Sequence, residues 1–247
     1  VVTVFPDIDA LVETAARQVV RAASEAVERS GRFLLTLSGG HSPGPLYRLL
    51  ASDPYSEMIP WEQTFVLWSD ERYVPLEDER SNAGNARELL LRHVPVPESQ
   101  IMTMYQPDLH PEQAAKAYEK SLRALSGADE LHLDLTFLGC GEDGHTASLF
   151  PGSSVLKGTD DRLVVYDLTH DVPRISMTPH LINLSRTVVF LVYGHEKAAA
   201  VQKVLTGPHD PELLPAQSIS PLKGETHWFL DTPSAALLKK DITSPPR

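Results

Sequence analysis

The sequence predicts an α/β fold, a mostly parallel sheet with helices on both faces, built as a single domain over residues 1–247. Three observations predict it. Short apolar runs of strand type alternate with stretches of helical periodicity, the pattern of a parallel sheet whose crossovers are helices. No internal repeat and no long low-complexity linker interrupts that alternation. Polar, often Gly-rich segments follow several of the apolar runs, and in open parallel sheets ligands bind beyond the carboxyl ends of the strands.

The elements follow in order. Asp7 to Arg29 reads as a helix with Leu11, Ala15, Val19 and Ala22 on one face, ended by Gly31. Phe33 to Leu37 is a short buried strand, followed by a Gly-rich turn and a helix through Leu46, Leu49 and Leu50. Phe65 to Trp68 is the next strand, running into Ser69-Asp70-Glu71-Arg72. Ala83 to Arg92 and Glu112 to Leu125 read as helices, and Leu133 to Leu138 as a strand entering Gly139-Cys140-Gly141. Leu163 to Tyr166, Val188 to Val192 and Trp228 to Leu230 complete the strands, and His195 to Leu205 is a helix opening after Gly194. The end Ser244-Pro245-Pro246-Arg247 reads as a frayed tail.

Composition narrows the function. A net charge of -11 argues against nucleic acid or an anionic membrane surface as a partner. The single cysteine, Cys140, permits no internal disulfide and fits a reducing, cytoplasmic compartment. Residues 1–10 lack the basic and apolar regions of a signal peptide, and no apolar run approaches the ~20 residues that span a bilayer. A soluble protein is expected, monomeric or a small homo-oligomer.

Two motifs attract and fail. Gly40-His41-Ser42-Pro43-Gly44 matches the nucleophile elbow of serine hydrolases, but the oxyanion hole of that elbow needs the N–H of the residue after the serine. Here that residue is Pro43, which has none, so a Gly/Ser turn with proline in the first turn of a helix is the better reading. Gly139-Cys140-Gly141-Glu142-Asp143-Gly144 matches a dinucleotide fingerprint, with Asp167 at a suggestive distance. Such a site needs a full helix between them, and Pro151, Gly152 and Gly158 stand in the way, while Glu142 and Asp143 would repel a pyrophosphate. The ten histidines are scattered, with no His-Glu-x-x-His and no Cys pair, so no metal is expected. No Walker sequence occurs.

What remains is a constellation. Ser38-Gly39-Gly40 with Ser42 lies between a strand and a helix, where close backbone approach and a helix N-terminus suit a phosphate. Arg72 follows a strand end, Arg174 precedes Ile175-Ser176-Met177, and Lys197 sits in the first turn of a helix. The dipole disfavours a cation at that last position unless an anion binds beside it. Taken singly, each is an ordinary solvated charge. His145, in Asp143-Gly144-His145-Thr146, can exchange protons near neutral pH. Asp143 either faces it and sets its tautomer or points away, since residues two apart in a turn do either.

Together these segments resemble the 6-phosphogluconolactonase family. The likeness is carried by Leu37-Ser38-Gly39-Gly40 with Ser42-Pro43, by Trp68 to Pro75 followed by Ser81-Asn82, by Leu138 to Pro151, and by Arg174 to Thr178 leading to Gly194 and Lys197. Pro215-Ala216 and Trp228 to Asp231 also fit, so the likeness covers nearly the whole chain, with Met177 in place of a commoner leucine. The resemblance implies a Rossmann-like sheet of the kind shared with sugar-phosphate isomerases and deaminases. It implies hydrolysis of 6-phosphoglucono-1,5-lactone in the pentose phosphate pathway without a cofactor.

Two competitors are weighed. Glucosamine-6-phosphate deaminases share the Asp-Gly-His core but place a glutamate before the following proline to orient the histidine. Phe150 stands there in this chain, and a phenyl ring accepts no proton. A sugar-phosphate-sensing module could use the same fold without catalysis. Such modules usually carry a DNA-binding domain, and here the first helix leads straight into the sheet.

The expected chemistry follows. Ser38, Gly39, Gly40, Ser42, Arg174 and Lys197 anchor the phosphate, with Arg72 adding charge near it or near the carboxylate product. His145, held by Asp143 or Asp70, takes a proton from water, and loop N–H groups meet the oxyanion.

Overall fold

A computed structural model describes residues 1–40, 42–126, 131–156 and 161–239; the proline-rich end at 244–247 lies outside them. In chain order the elements are β1 (Val2–Phe5), α1 (Ile8–Ser30), β2 (Phe33–Leu37), α2 (Gly44–Leu50), α3 (Tyr55–Met58), β3 (Thr64–Trp68), β4 (Asp70–Arg72) and α4 (Asn82–Leu89). There follow α5 (Pro111–Ser126), β5 (Leu133–Leu138), β6 (Val164–Asp167), β7 (Arg174–Met177), α6 (Pro179–Ile182), β8 (Ser185–Val192), α7 (Ala198–Thr206) and β9 (Glu225–Asp231). Short 3-10 turns join several of them, including Leu91–His93 and His195–Lys197.

The main sheet has six strands in the order β1-β9-β8-β5-β2-β3, and every neighbouring pair is parallel. Side chains that alternate along each strand feed two separate cores. Leu35 and Leu37 of β2, with Val189 and Leu191 of β8, pack with Leu11, Ala15 and Val19 of α1. Leu34, Val188, Phe190 and Val192 face the other way, toward Tyr118 and Leu122 of α5 and Val201 of α7. Helices therefore cover both faces, as the alternation predicts.

Local chemistry sets the element ends. The Asp7 carboxylate accepts the Ala10 N–H (2.8 Å) and caps α1, while Gly31, at φ 72, closes the other end with its N–H on the Val27 carbonyl. Ser81 caps α4 through the Gly84 N–H (3.0 Å). Among the described residues no helix is long and apolar enough to cross a membrane.

Several expectations are corrected. The segment around Tyr166, expected in the parallel sheet, forms β6 of a second sheet, three antiparallel strands in the order β4-β7-β6. Asp70-Glu71-Arg72 is β4 of that sheet, so Arg72 lies within a strand instead of following one. Arg174 likewise begins β7. The helix expected from Ala83 to Arg92 is α4, ending at Leu89, and then a 3-10 turn. The helix expected from His195 opens as a 3-10 turn, and Lys197 is the N-cap of α7. Ser69 couples the two sheets, its N–H on the Leu37 carbonyl (2.9 Å) and its carbonyl accepting from Met177 N–H (2.8 Å).

Candidate active site

The carboxyl ends of β2, β3, β5 and β8 open onto a cavity of about 350 Å³, closed on one side by the antiparallel sheet. Ser38, Gly39, Gly40, Ser42, Asp70, Arg72, His145, Arg174 and Lys197 all line it. Of the sequence-predicted site residues only Asp143 stands behind the wall, bonded to His145. A larger cleft of about 840 Å³ runs along α5 and β6, and none of these residues reaches it.

The Gly-rich wall is braced by two tyrosines. Tyr47 donates its hydroxyl to the Ser38 carbonyl (2.6 Å), and Tyr193 donates to the Ser42 carbonyl (2.9 Å). Gly40 has φ 78, a conformation that favours glycine. At Gly39 the requirement is space: a Cβ there would fall 2.1 Å from the Asn82 amide. Pro43 occupies the N-cap position of α2 without a side-chain capping bond, and the helix is only seven residues long, so attraction of an anion rests more on nearby cations than on a helix dipole.

Those cations are held under tension. Arg72 and Arg174 stand directly opposite each other across the β4–β7 pair, an arrangement of like charges that costs stability. The Nε atoms of both are buried without a hydrogen-bond partner. Burial, and next the charge of Arg72, pull the Arg174 guanidinium below its ordinary value, against the opposing charges of Asp70 and Asp167. A bound anion would relieve the repulsion and supply acceptors for guanidinium N–H groups.

The opposite wall carries an imidazole bonded to a carboxylate. His145 Nδ1 lies 2.6 Å from Asp143 Oδ1, which also accepts the His145 backbone N–H (3.0 Å). Burial opposes ionisation of Asp143, but this N–H and the imidazole hold the carboxyl below the usual range. A carboxylate on Nδ1 selects the tautomer with its proton there and leaves Nε2 as the basic nitrogen. Asp70, the other carboxylate considered as a partner for His145, bonds elsewhere: it accepts from Ser148 Oγ (2.6 Å) and Asn82 Nδ2 (3.3 Å).

Phe150 does not line the cavity but packs on two residues that do. Its ring centroid lies 4.5 Å from that of His145, and the Arg174 guanidinium lies 5.3 Å from the Phe150 centroid. The imidazole and the Arg174 guanidinium therefore share one aromatic neighbour, on the same side of the molecule. The Gly141 N–H, a candidate for meeting an oxyanion, is instead spent on the His145 carbonyl (2.8 Å). Cys140 also lines the cavity, but burial pushes its thiol up to about 12, which leaves it inert as a nucleophile.

Sequence reasoning left Asn82, Tyr193 and Glu196 out of the site, and all three line the cavity. Asn82 stands in a segment that carries the family likeness, the one signal that could have pointed to it. Tyr193 reads as the end of an apolar strand, and nothing local marks it.

A family model described as glucosamine-6-phosphate isomerases/6-phosphogluconolactonase matches residues 6–228. The chain belongs to this family. A 6-phosphogluconolactonase from Synechocystis is 39% identical over 224 residues, covering 90% of this chain and 91% of that protein. The crystal structure of 6-phosphogluconolactonase from Thermotoga maritima superimposes with a TM-score of 0.79 at 30% identity, covering 94% of this chain and 99% of that one. A monomeric glucosamine-6-phosphate deaminase, 20% identical with a TM-score of 0.81 over 96% of this chain and 99% of that one, shares the fold. Both branches of the family name thus have structural neighbours, and the side chains of the cavity must separate them. The relatives with the higher identity carry the lactonase name, and Phe150 packs on His145 in this chain.

Proposed function

We propose that the chain is an enzyme that hydrolyses 6-phospho-D-glucono-1,5-lactone to 6-phosphogluconate, the pentose phosphate pathway reaction, by general acid–base catalysis. One observation carries the reading: a single cavity holds the Asp143-supported imidazole and the cluster of Arg72, Arg174 and Lys197. The cations and the Ser38-Gly39-Gly40 loop with Ser42 grip the phosphate. Gripping a group remote from the reacting carbon positions the lactone carbonyl and spends binding energy on orientation. His145 Nε2 takes a proton from water as its oxygen adds to C1, and Asp143 stabilises the imidazolium that forms. The tetrahedral intermediate collapses with cleavage of the ring C–O bond, and His145 returns the proton to the departing oxygen. A lactone is an activated acyl group, so the step needs no covalent nucleophile.

The contrast with deamination rests on Phe150. Its ring packs against His145 and can fix the plane of the imidazole, but it cannot accept or relay a proton. The test is lactone disappearance above the spontaneous rate, beside ammonia release from glucosamine 6-phosphate. The expected result is hydrolysis without ammonia. The neutral, unphosphorylated lactone should lose about 10²-fold or more in kcat/KM, since several charge-assisted hydrogen bonds are forfeited. Equal rates on the two lactones would remove the phosphate anchor, and ammonia release would transfer the chain to the other branch.

A further inference from the structure

Strand β4 places Asp70 and Arg72 on the cavity and turns the residue between them, Glu71, the other way. Glu71 is fully buried and surrounded by donors. Its Oε1 accepts the N–H of Asn82 (2.7 Å) and of Arg72 (2.8 Å). Its Oε2 accepts the N–H of Ala83 (2.8 Å) and the Ser81 hydroxyl (3.3 Å). One carboxylate thereby fastens the first turn of α4 to β4. The far side of that turn is equally tight, since a Cβ at Gly84 would fall 2.0 Å from the Leu76 carbonyl oxygen.

The clamped turn carries Asn82 into the cavity wall. Its Nδ2 donates to the Asp70 carbonyl (2.8 Å) and to Asp70 Oδ1 (3.3 Å). Turning the amide over would set its oxygen against two acceptors, so its orientation is fixed. The same amide lies so close to Gly39 that no side chain fits between them. Asn82 therefore touches Asp70 and Gly39 at once, and its position is set by Glu71, whose side chain does not line the cavity.

We propose that Glu71 is a positioning residue: through the first turn of α4 it holds the Asn82 amide between Asp70 and Gly39, and so fixes Asp70 against the Ser38-Gly39-Gly40 loop. This rests on the cavity being the lactonase site.

Two single variants, Glu71→Gln and Asn82→Ala, and their double variant test it, by steady-state kinetics with the phosphorylated lactone and by calorimetric binding of inorganic phosphate. Glutamine keeps the volume but presents an NH2 group to N–H donors. A misplacement of about 1 Å set up far from the chemistry can cost about 10²-fold, and a loss of about 10–100-fold in kcat/KM is expected for each single variant. The double variant should lose scarcely more than either, because both remove one chain of contacts. Asn82→Ala leaves the bonds of Glu71 to the turn intact, so a kinetically normal Asn82→Ala overturns the proposal even if Glu71→Gln does not fold, and in that case Glu71→Asp, which keeps the carboxylate but shortens its reach, takes its place with the same expected loss. A kinetically normal Asn82→Ala, multiplicative losses in the double variant, or a Glu71→Gln that melts earlier with unchanged kcat and KM would each overturn the proposal. A wild-type protein inactive on the lactone would sink the reading of the cavity instead. In that event a weakened affinity for inorganic phosphate in both single variants would sustain the positioning role, and an unchanged affinity would overturn it.

Discussion

The two sheets of this molecule obey opposite rules. In the parallel sheet the residues of β2 and β5 are all buried, and the strands are built mostly of apolar side chains. In the antiparallel sheet, strands of three and four residues present Asp70, Arg72, Asp167 and Arg174, with two arginines facing each other. The first arrangement lowers the energy of the fold. The second raises it locally and holds charges where a ligand can use them, as strained and electrostatically frustrated sites commonly do. Stability and function are thus partly separated in space, and substitutions in the two regions should fail in different ways.

The largest effect is expected at His145. His145→Ala should lower kcat by about 10²–10⁴-fold, the usual worth of a positioned acid–base group, with a modest change in KM. The side chain is partly exposed, so the melting temperature should scarcely move. An unchanged kcat would remove His145 as the base, whatever the fate of the phosphate site.

Next comes a direct contrast between the sheets. Leu35→Ala, at a fully buried position beneath α1, should cost about 2–5 kcal/mol of stability. The molecules that remain folded should keep a normal kcat. Arg72→Met should do the reverse. It removes one of two facing like charges, so stability should hold or rise by up to about 1 kcal/mol. KM for the phosphorylated lactone should rise, because an anchoring charge is lost. Chemical unfolding and steady-state kinetics on the same two samples decide the matter. A Leu35→Ala protein impaired in kcat, or an Arg72→Met protein that is strongly destabilised, would erase the distinction.

The same contrast explains what could be read from the sequence. Phe33–Leu37 and Leu133–Leu138 were legible residue for residue because burial on both faces leaves a run of apolar side chains. The carboxyl ends of those strands then pointed to the loops that line the cavity. The small sheet was opaque. β4 is a run of charged residues, Asp-Glu-Arg, held extended only by pairing with β7, about a hundred residues further along the chain. β6 shows the converse: its apolar run looks the same in either sheet, and only tertiary pairing assigns it to the antiparallel one. β1 carries a local signal in its β-branched run Val2-Thr3-Val4-Phe5 that the sequence reading passed over, but its partner β9 lies at the opposite end of the chain, as in Val2 with Trp228, and no local feature names it. Asn82 and Tyr193 belong to the site by position alone, and nothing in their immediate sequence requires it.

The smallest predicted effect probes the link between His145 and its carboxylate. Burial opposes ionisation of Asp143, yet the backbone N–H and the imidazole of His145 together outweigh it and hold the carboxyl below its usual range. A depressed carboxyl contributes stability that is present above the unfolded value of about 3.9 and is lost as pH falls through the folded value. In the wild-type protein the Asp143 carboxyl should therefore titrate below the usual aspartate range when followed by carboxyl carbon NMR. In His145→Ala the imidazole is gone but the backbone N–H at that position remains, so the midpoint should rise only part of the way back. A complete return to the ordinary value would mean that the backbone bond contributes nothing. No movement at all would mean that the imidazole and the carboxylate are neighbours without being coupled, and the tautomer of His145 would need another source.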